Sequence, residues 1–220
     1  DVLNHHRLAI YSRRNRILSG SDIHADVLEM VESQAVRIIE TSGLEDIRDG
    51  ISNEARSIIV DKINEFAEEP ISKIEHFHDV SNAEDLVSQS KTLLIWKIET
   101  LRNTGTEEQF SEFERRLTLA AIDELWMQHI DRMAHLREEV AFEWYAQKNP
   151  LVVYKERAYT HFVGMIDSIE YRVVKGLLTA RANESIDSVN LEETLLLEYT
   201  KSWTETKEIP SLQWKDLLMN

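Results

Sequence analysis

The sequence contains no cysteine, only six glycines and only three prolines in 220 residues. The absence of cysteine excludes disulfides and thiolate metal sites, and it fits a reducing cytosolic compartment. So few glycines and prolines are typical of long helices, and no alternating run of Val, Ile and Thr predicts a sheet. No apolar run approaches the ~18 residues that span a bilayer, so we expect neither a membrane-spanning helix nor a signal peptide.

Motifs that mark several enzyme classes are also missing. There is no Gly-x-x-x-x-Gly-Lys-Ser/Thr phosphate-binding loop, no Gly-x-Gly-x-x-Gly turn and no His-Glu-x-x-His zinc motif. A di-iron bundle needs two Glu-x-x-His pairs, and the chain has one, Glu75 with His78, in an irregular stretch near a proline. We interpret that pair as part of a solvated loop and predict no catalytic residue, no metal ligand and no cofactor site in this chain.

The net charge is −15, and the acidic excess is uneven. Residues 45–112 hold 16 Asp and Glu against 7 Lys and Arg, whereas the opening segment carries Arg7, Arg13, Arg14 and Arg16. A nucleic-acid-binding protein would present a basic face, so nucleic acid is not an expected partner. We interpret the acidic middle as a solvated surface that keeps the protein soluble.

Residues 110–178 predict two long helices joined by a tight loop. Apolar residues recur at steps of three and four, at Leu119, Ile122, Trp126, Ile130, Met133, Leu136 and Val140, and then at Tyr154, Ala158, Phe162, Met165, Ile169, Val173 and Leu177. This spacing is typical of amphipathic helices. Pro150 separates the two sets, because proline cannot continue a helix and pushes Asn149 out of helical geometry. Helices connected so tightly must form an antiparallel hairpin, about 60 Å long if each has about 40 residues.

The rest of the chain also predicts helices, so the fold class is all-α. Residues 1–18 suggest a helix with a basic surface, and a second helix follows, capped by Asp22 and stopped by Gly43. Shorter helices are predicted over 52–68, with Ile58 on the apolar face, and over 81–101. The middle block therefore represents a small helical subdomain inserted between longer helices.

Single histidines and tryptophans on these faces are interpreted as packing residues. His129, His135 and His161 lie on or near the apolar faces of the hairpin, where a histidine usually hydrogen-bonds within a core. Trp96 and Trp126 lie at helical spacing and are predicted to be core residues.

The loop of the hairpin is different, because Phe142, Trp144 and Tyr145 cluster where polar residues are usual. Either these aromatic side chains contact a partner, or they pack against the inserted subdomain or the C-terminal tail.

The hairpin resembles the C-terminal part of the SecA preprotein translocase motors of bacteria. The resemblance rests on Leu125-Trp126, His129, Met133, Leu136-Arg137, the turn Tyr145-Ala146-Gln147-Lys148-Asn149-Pro150, Tyr154-Lys155-Glu156 and Phe162. The opening Asp1-Val2-Leu3-Asn4, with Ile10-Tyr11, Arg14 and Leu18, resembles the start of the helical scaffold of that family. The two matches lie more than 100 residues apart in the right order.

The resemblance implies a division into domains. Residues 1–42 and 106–182 would form the helical scaffold, which includes a two-helix finger at about 119–178 with its tip at 143–150. Residues 43–105 would form the helical wing, and 183–220 a C-terminal tail. The tail carries two apolar clusters, around Leu195 and around Trp214, and is expected to dock on this chain or on a neighbour.

The resemblance also implies a function. The finger tip, with Tyr145, Trp144, Ala146, Gln147 and Lys148, would contact an unfolded secretory preprotein and the Sec channel. The scaffold would couple to upstream ATPase domains, so ATP and magnesium would bind there and this chain alone would not be an enzyme. The protein would act in the cytoplasm, peripherally at the inner face of the cell membrane, and the family allows a homodimer.

The tip departs from the family pattern, which usually has a basic residue and a glycine before the tyrosine. Here Glu143 and Trp144 take those places, Asn149 replaces an Asp, and Glu138-Glu139 replaces a more neutral pair. The C-terminal zinc-binding motif of the family is absent, since the chain has no cysteine. Two other hypotheses remain: a stand-alone helical interaction module that binds through the acidic wing or the apolar tail, and a metal-dependent bundle enzyme.

Overall fold

The computed structural model describes residues 2–20, 22–44, 50–67, 69–141 and 149–180. These residues form six α-helices, named here α1 (Val2–Leu18), α2 (Ile23–Glu40), α3 (Asn53–Asn64), α4 (Ala83–Arg102), α5 (Glu107–Val140) and α6 (Pro150–Thr179), with a 3₁₀ turn at Ile74–Phe77. No strand occurs in the described ranges, and the predicted all-α fold is confirmed.

The helices begin and end where side chains satisfy the free backbone groups. The Asp22 carboxylate accepts a hydrogen bond from the Ala25 amide, as predicted, and the Ser52 and Asn82 side chains cap α3 and α4 in the same way. Gly43 follows α2 with φ 67°, the left-handed conformation that favours glycine at a helix end.

The predicted end of α3 is wrong, because the helix stops at Asn64 and not near residue 68. The Asn64 side-chain oxygen accepts hydrogen bonds from the Ile71 and Ser72 amides, both at 2.9 Å. These bonds fix the chain that follows the helix beside its last turn.

The described residues fall into two compact units. The first comprises residues 2–20, 118–141 and 149–169, and the second comprises the described parts of 22–117 together with 170–180. These limits do not coincide with the predicted domain limits at 42/43 and 105/106, which follow the organisation of the resembled family. That domain assignment stays a prediction.

The core of the first unit confirms the antiparallel hairpin. One apolar cluster joins Met133, Leu136 and Val140 of α5 to Val153 and Ala158 of α6. Further from the turn, the His129 and Phe162 rings lie 5.8 Å apart. Residues progressively earlier in α5 thus meet residues progressively later in α6.

Two expectations for the first unit are wrong. Ile130 is 40% exposed, because His129 takes the inward position and the next residue lies about 100° further round the helix. The surface of α1 is less basic than predicted, since the Arg13 and Arg14 side chains are buried.

The second unit is built on α2, which packs against α4 and α3. All the residues of the predicted apolar face of α2 are buried, namely Ile23, Val27, Met30, Val31, Ala35, Ile38 and Ile39. Trp96 is 57% exposed, so its predicted core position is wrong. It lies two residues from both Leu94 and Ile98, which are buried, and a two-residue step points to the opposite face of a helix. Ile58 is 44% exposed for a similar reason, since Ala55, Ile59 and Ile63 supply the buried face.

Candidate functional site at the end of the hairpin

The predicted tip residues, Trp144, Tyr145, Ala146, Gln147 and Lys148, lie outside the described residues, as do Phe142 and Glu143. The predicted contact of these side chains with a polypeptide therefore stays a prediction. The structure does describe the residues on both sides of the tip, from Ala141 backwards and from Asn149 forwards.

Asn149 and Pro150 fix the direction in which the chain leaves the tip. The Asn149 side-chain oxygen accepts a hydrogen bond from the Leu151 amide at 3.0 Å, and its carbonyl accepts from the Val152 and Val153 amides. Asn149 is thus the N-cap of α6, and Pro150 occupies the first helical position, where a missing N–H costs nothing. Asp and Asn both offer a side-chain acceptor oxygen, so either residue could cap α6 at this position.

A groove of about 410 Å³ lies on the first unit between the last residues of α5 and the first residues of α6, and we call it the distal groove. Its apolar lining comprises Val2 of α1, Val140 and Ala141 at the end of α5, and Pro150, Leu151 and Tyr154 of α6. Two cationic side chains, Arg137 and Lys155, complete the lining. The site can therefore hold an apolar segment and attract negative charge.

A buried aromatic cluster supports this end of the hairpin. His6 of α1 stacks on Phe162 with ring centroids 4.2 Å apart, and its Nδ1 lies 3.1 Å from Nε2 of His129. Trp126 packs against His129 at 5.6 Å and against Tyr11 at 6.5 Å. The predicted packing role of His129 is thus confirmed, and Trp126 is a core residue as predicted, only 3% exposed.

Burial sets the protonation of the two histidines. Loss of hydration lowers the pKa of His6 to about 4, with a further contribution from His5. Burial likewise lowers the pKa of His129 to about 3, and electrostatic interactions with His6, His161 and Arg132 lower it further. Both imidazoles are therefore neutral at pH 7, and one ring donates a hydrogen bond to the other.

A second groove, of about 510 Å³, lies along the side of the same unit and has a different character. Its lining is mostly charged or polar and consists of Gln128, Asp131, Arg132, His135, Leu136, Glu139 and His161. His135 is exposed, so its predicted packing role is wrong, whereas His161 is half-buried. Among the described residues, no group of three His, Asp or Glu side chains is arranged to hold a metal ion. The described side chains of Glu75 and His78 are exposed, as predicted for a solvated stretch.

The second unit contains a cluster of one histidine and two glutamates that was not predicted from the sequence. His24 Nδ1 lies 2.7 Å from Oε1 of Glu114, and His24 Nε2 lies 2.9 Å from Oε1 of Glu99. Burial raises the pKa of Glu114, and the hydrogen bond and charge of His24 oppose that shift. The two ring nitrogens of His24 thus bridge the side chains of Glu99 and Glu114. The cluster ties α2 to α4 and α5.

No helix among the described residues is long and apolar enough to cross a membrane. The described residues define an all-helical protein in which α5 and α6 pack antiparallel within the first unit. Comparison with known families is more specific, because residues 1–181 match the SecA wing and scaffold domain. The chain belongs to this family.

Full-length relatives agree with that assignment. The chain is 33% identical over 184 residues to the protein translocase subunit SecA of Carboxydothermus hydrogenoformans, covering 81% of this chain and 20% of that protein. It is 29% identical over 210 residues to the protein of the same name from Chromohalobacter salexigens, covering 90% and 22%, and 28% identical over 208 residues to that of Bifidobacterium longum, covering 88% and 21%. The chain thus spans about a fifth of the length of these relatives.

Proposed function

We propose that this chain is the wing and scaffold part of an ATP-driven protein translocase, and that the tip of its hairpin contacts the moving polypeptide and the channel. The observation that carries the proposal is the family match over residues 1–181, which includes the whole hairpin. The relatives are named translocase subunits, and the proposal extends that role to this chain.

The hairpin suits the transfer of a displacement to its tip. α5 has 34 residues and α6 has 30, which corresponds to about 51 Å and about 45 Å at 1.5 Å per residue. The two helices share a buried apolar cluster near the tip and ring contacts further back. A helix pair that is packed along its length bends less than a single helix, so movement of its base reaches the tip.

The composition of the tip suits contact with a polypeptide of any sequence. Trp144 and Tyr145 are large, rigid and amphipathic, and such side chains gain contact area without reading the sequence of their partner. The distal groove, with Leu151 and Tyr154, would extend this contact surface on one side of the tip.

The remaining parts of the proposal concern the rest of the translocase. The scaffold would couple to ATPase domains elsewhere in the parent protein, which would bind ATP and magnesium, and the present chain would not hydrolyse ATP alone. The parent would act in the cytoplasm at the inner face of the cell membrane, against the Sec channel, and it could dimerise.

Because this chain contains no cysteine, a cysteine that replaces Tyr145 would be the only one within it. Crosslinking from this cysteine to a secretory polypeptide stalled in transit would be measured in the full-length parent, with any cysteine outside this chain replaced. The matched control replaces Trp96, an exposed aromatic residue of α4 in the second unit. We expect a crosslink from position 145 and none from position 96. If the parent protein still moved polypeptides but gave no crosslink at position 145, the proposed contact of the tip would be excluded.

A second candidate function rests on the exposure of Trp96. A tryptophan that is 57% exposed on the helix of an acidic subdomain is a candidate anchor for a protein partner. In that case this chain would act as an interaction module through its wing or its tail. Crosslinking from position 96 to another protein, without any from position 145, would favour this alternative.

A further inference from the structure

The distal groove presents an apolar surface that no described residue covers. Leu151 of its lining is 60% exposed, although Val2 and Tyr154 of the same lining pack against the buried cluster that includes Met133, Val140 and Val153. Exposed apolar residues next to a groove mark a binding surface more often than isolated ones do. The groove lies wholly within the first unit.

The charges of the distal groove restrict what it can bind. Arg137 and Lys155 belong to its lining, and no carboxylate does. In a chain with a net charge of −15 this is a local exception. A segment that combines large apolar side chains with acidic ones would match both features of the surface.

We propose that residues 193–199 of this chain dock in the distal groove and that the residues between 180 and 193 connect them to α6. This segment contains Leu195, Leu196, Leu197 and Tyr199, together with the acidic residues Glu193 and Glu198, and it contains no Lys or Arg. The following residues, 200–220, include three lysines and are less complementary to Arg137 and Lys155. The tail thus carries its most acidic apolar cluster first.

The length of the chain decides which residues can reach the groove. α6 runs for 30 residues from Pro150 to Thr179, a distance of about 45 Å. An extended chain spans at most about 3.3–3.6 Å per residue. About 13 residues beyond 180 are therefore needed to return along α6, so residues 195–197 are the first apolar run that reaches the groove.

The proposal can be tested on the chain itself, without the translocase, so its failure would not affect the proposed function. Ala141 is exposed and lines the groove, and it is the position for a single cysteine in the otherwise cysteine-free chain. The rate of maleimide labelling of this Ala141→Cys chain would be compared with that of the same chain carrying Leu195→Ser, Leu196→Ser and Leu197→Ser. Thr160→Cys, exposed on α6 and outside the groove, is the control for general reactivity and folding.

We expect Ala141→Cys to be labelled roughly tenfold more slowly when the tail is intact. A tethered segment has an effective concentration of about 1 mM. If the groove binds it with a Kd of ~0.1 mM, the groove is occupied about 90% of the time. Arg137→Glu with Lys155→Glu should abolish most of this protection, and Thr160→Cys should be labelled equally in all backgrounds. Equal labelling of Ala141→Cys with either tail would overturn the proposal. Protection that disappears on dilution would also overturn it, because it would show that a second copy covers the groove.

Discussion

His6 and His129 form a hydrogen-bonded pair inside the first unit, with 3.1 Å between Nδ1 of His6 and Nε2 of His129. The two residues are 123 positions apart in the sequence. Both are buried, since His6 is 6% exposed and His129 is 3% exposed. Phe162 stacks on His6 and meets His129 edge-on, so α1, α5 and α6 converge on one neutral pair. The contact joins the beginning of the chain to the hairpin.

The free energy of unfolding should fall as the pH falls below about 6.5. The pKa values of His6 and His129 are lowered in the folded chain to about 4 and about 3, so the unfolded chain binds protons that the folded chain does not. The stability from these groups is present above the unfolded pKa of 6.5 and is lost between there and the folded values. Each histidine contributes a loss of up to about 1.4 kcal/mol per pH unit in that window. Urea unfolding between pH 7 and pH 5 measures it.

The His6→Gln variant isolates one of the two contributions, because glutamine can still hydrogen-bond to His129 and does not titrate. Its stability should depend on pH less steeply than that of the original chain. His5→Gln is the matched control, since His5 is the exposed neighbour of His6. If His6→Gln and the original chain showed the same slope, His6 would not be held neutral in the folded state.

Trp126→Ala should lower the free energy of unfolding by about 3–5 kcal/mol, as expected for a large aromatic residue in a core. Trp126 is 3% exposed and contacts the rings of Tyr11 and His129. Trp96→Ala is the matched control, because the same atoms are removed from a residue that is 57% exposed, and it should change stability by no more than about 0.5 kcal/mol. Chemical denaturation of both variants measures the difference, and similar losses would contradict the assigned faces.

These two tryptophans illustrate what the sequence could predict. Long helices with many buried apolar residues were predictable. One residue on the wrong face does not hide the regular spacing of the others. The face of α2 and most of the faces of α5 and α6 were identified in this way. Trp96 was predicted from its helical spacing to be a core residue, although Leu94 and Ile98 of the same helix place it on the other side of α4. The apolar residues of its own helix were the better guide to its position.

Polar contacts between distant segments were much less predictable. Nothing near His24 in the sequence indicates that Glu99 and Glu114 contact its two ring nitrogens, since these partners lie 75 and 90 positions away. Burial of Arg13 and Arg14 was also missed, because arginine is usually exposed, and the partner of Arg14, Asp123, lies 109 positions away on α5. The candidate site was identified by resemblance alone, and its tip residues 144–148 lie outside the described residues.

Gly164→Ala should stabilise the hairpin by about 0.5–1 kcal/mol, because glycine in the middle of a helix has a high entropic cost. A Cβ at Gly164 would meet no atom within 4 Å. Gly176 is the contrasting position in the same helix, since a Cβ there would lie 2.9 Å from Cδ2 of Leu117. The gain in helix propensity at Gly176 would then be offset by overpacking, typically by about 1–3 kcal/mol. Thermal unfolding of the two variants shows whether Gly164→Ala is the more stable. If both were stabilised equally, the Leu117 side chain would move aside freely.

The Arg14–Asp123 ion pair should couple α1 strongly to α5. Arg14 Nε lies 2.9 Å from Oδ1 of Asp123 and a second guanidinium nitrogen lies 3.3 Å from Oδ2, so the contact is bidentate. The Arg14 side chain is 3% exposed and that of Asp123 is 23% exposed. Removing the carboxylate leaves the more deeply buried charge without this partner, so Asp123→Asn should cost about 3 kcal/mol.

A double-mutant cycle with Arg14→Met and Asp123→Asn tests this coupling, and we expect an interaction energy of about 1–3 kcal/mol from urea unfolding. The control cycle uses Lys91 and Glu32, whose charged atoms lie 2.6 Å apart but whose side chains are 35% and 58% exposed. Water and salt screen that pair, so its interaction energy should stay below about 1 kcal/mol. Adding salt should weaken the surface pair and leave the Arg14 cycle nearly unchanged, because buried charges are screened much less. An interaction energy for Arg14 and Asp123 no larger than that of the surface pair would show that burial of α1 rests on its apolar contacts alone.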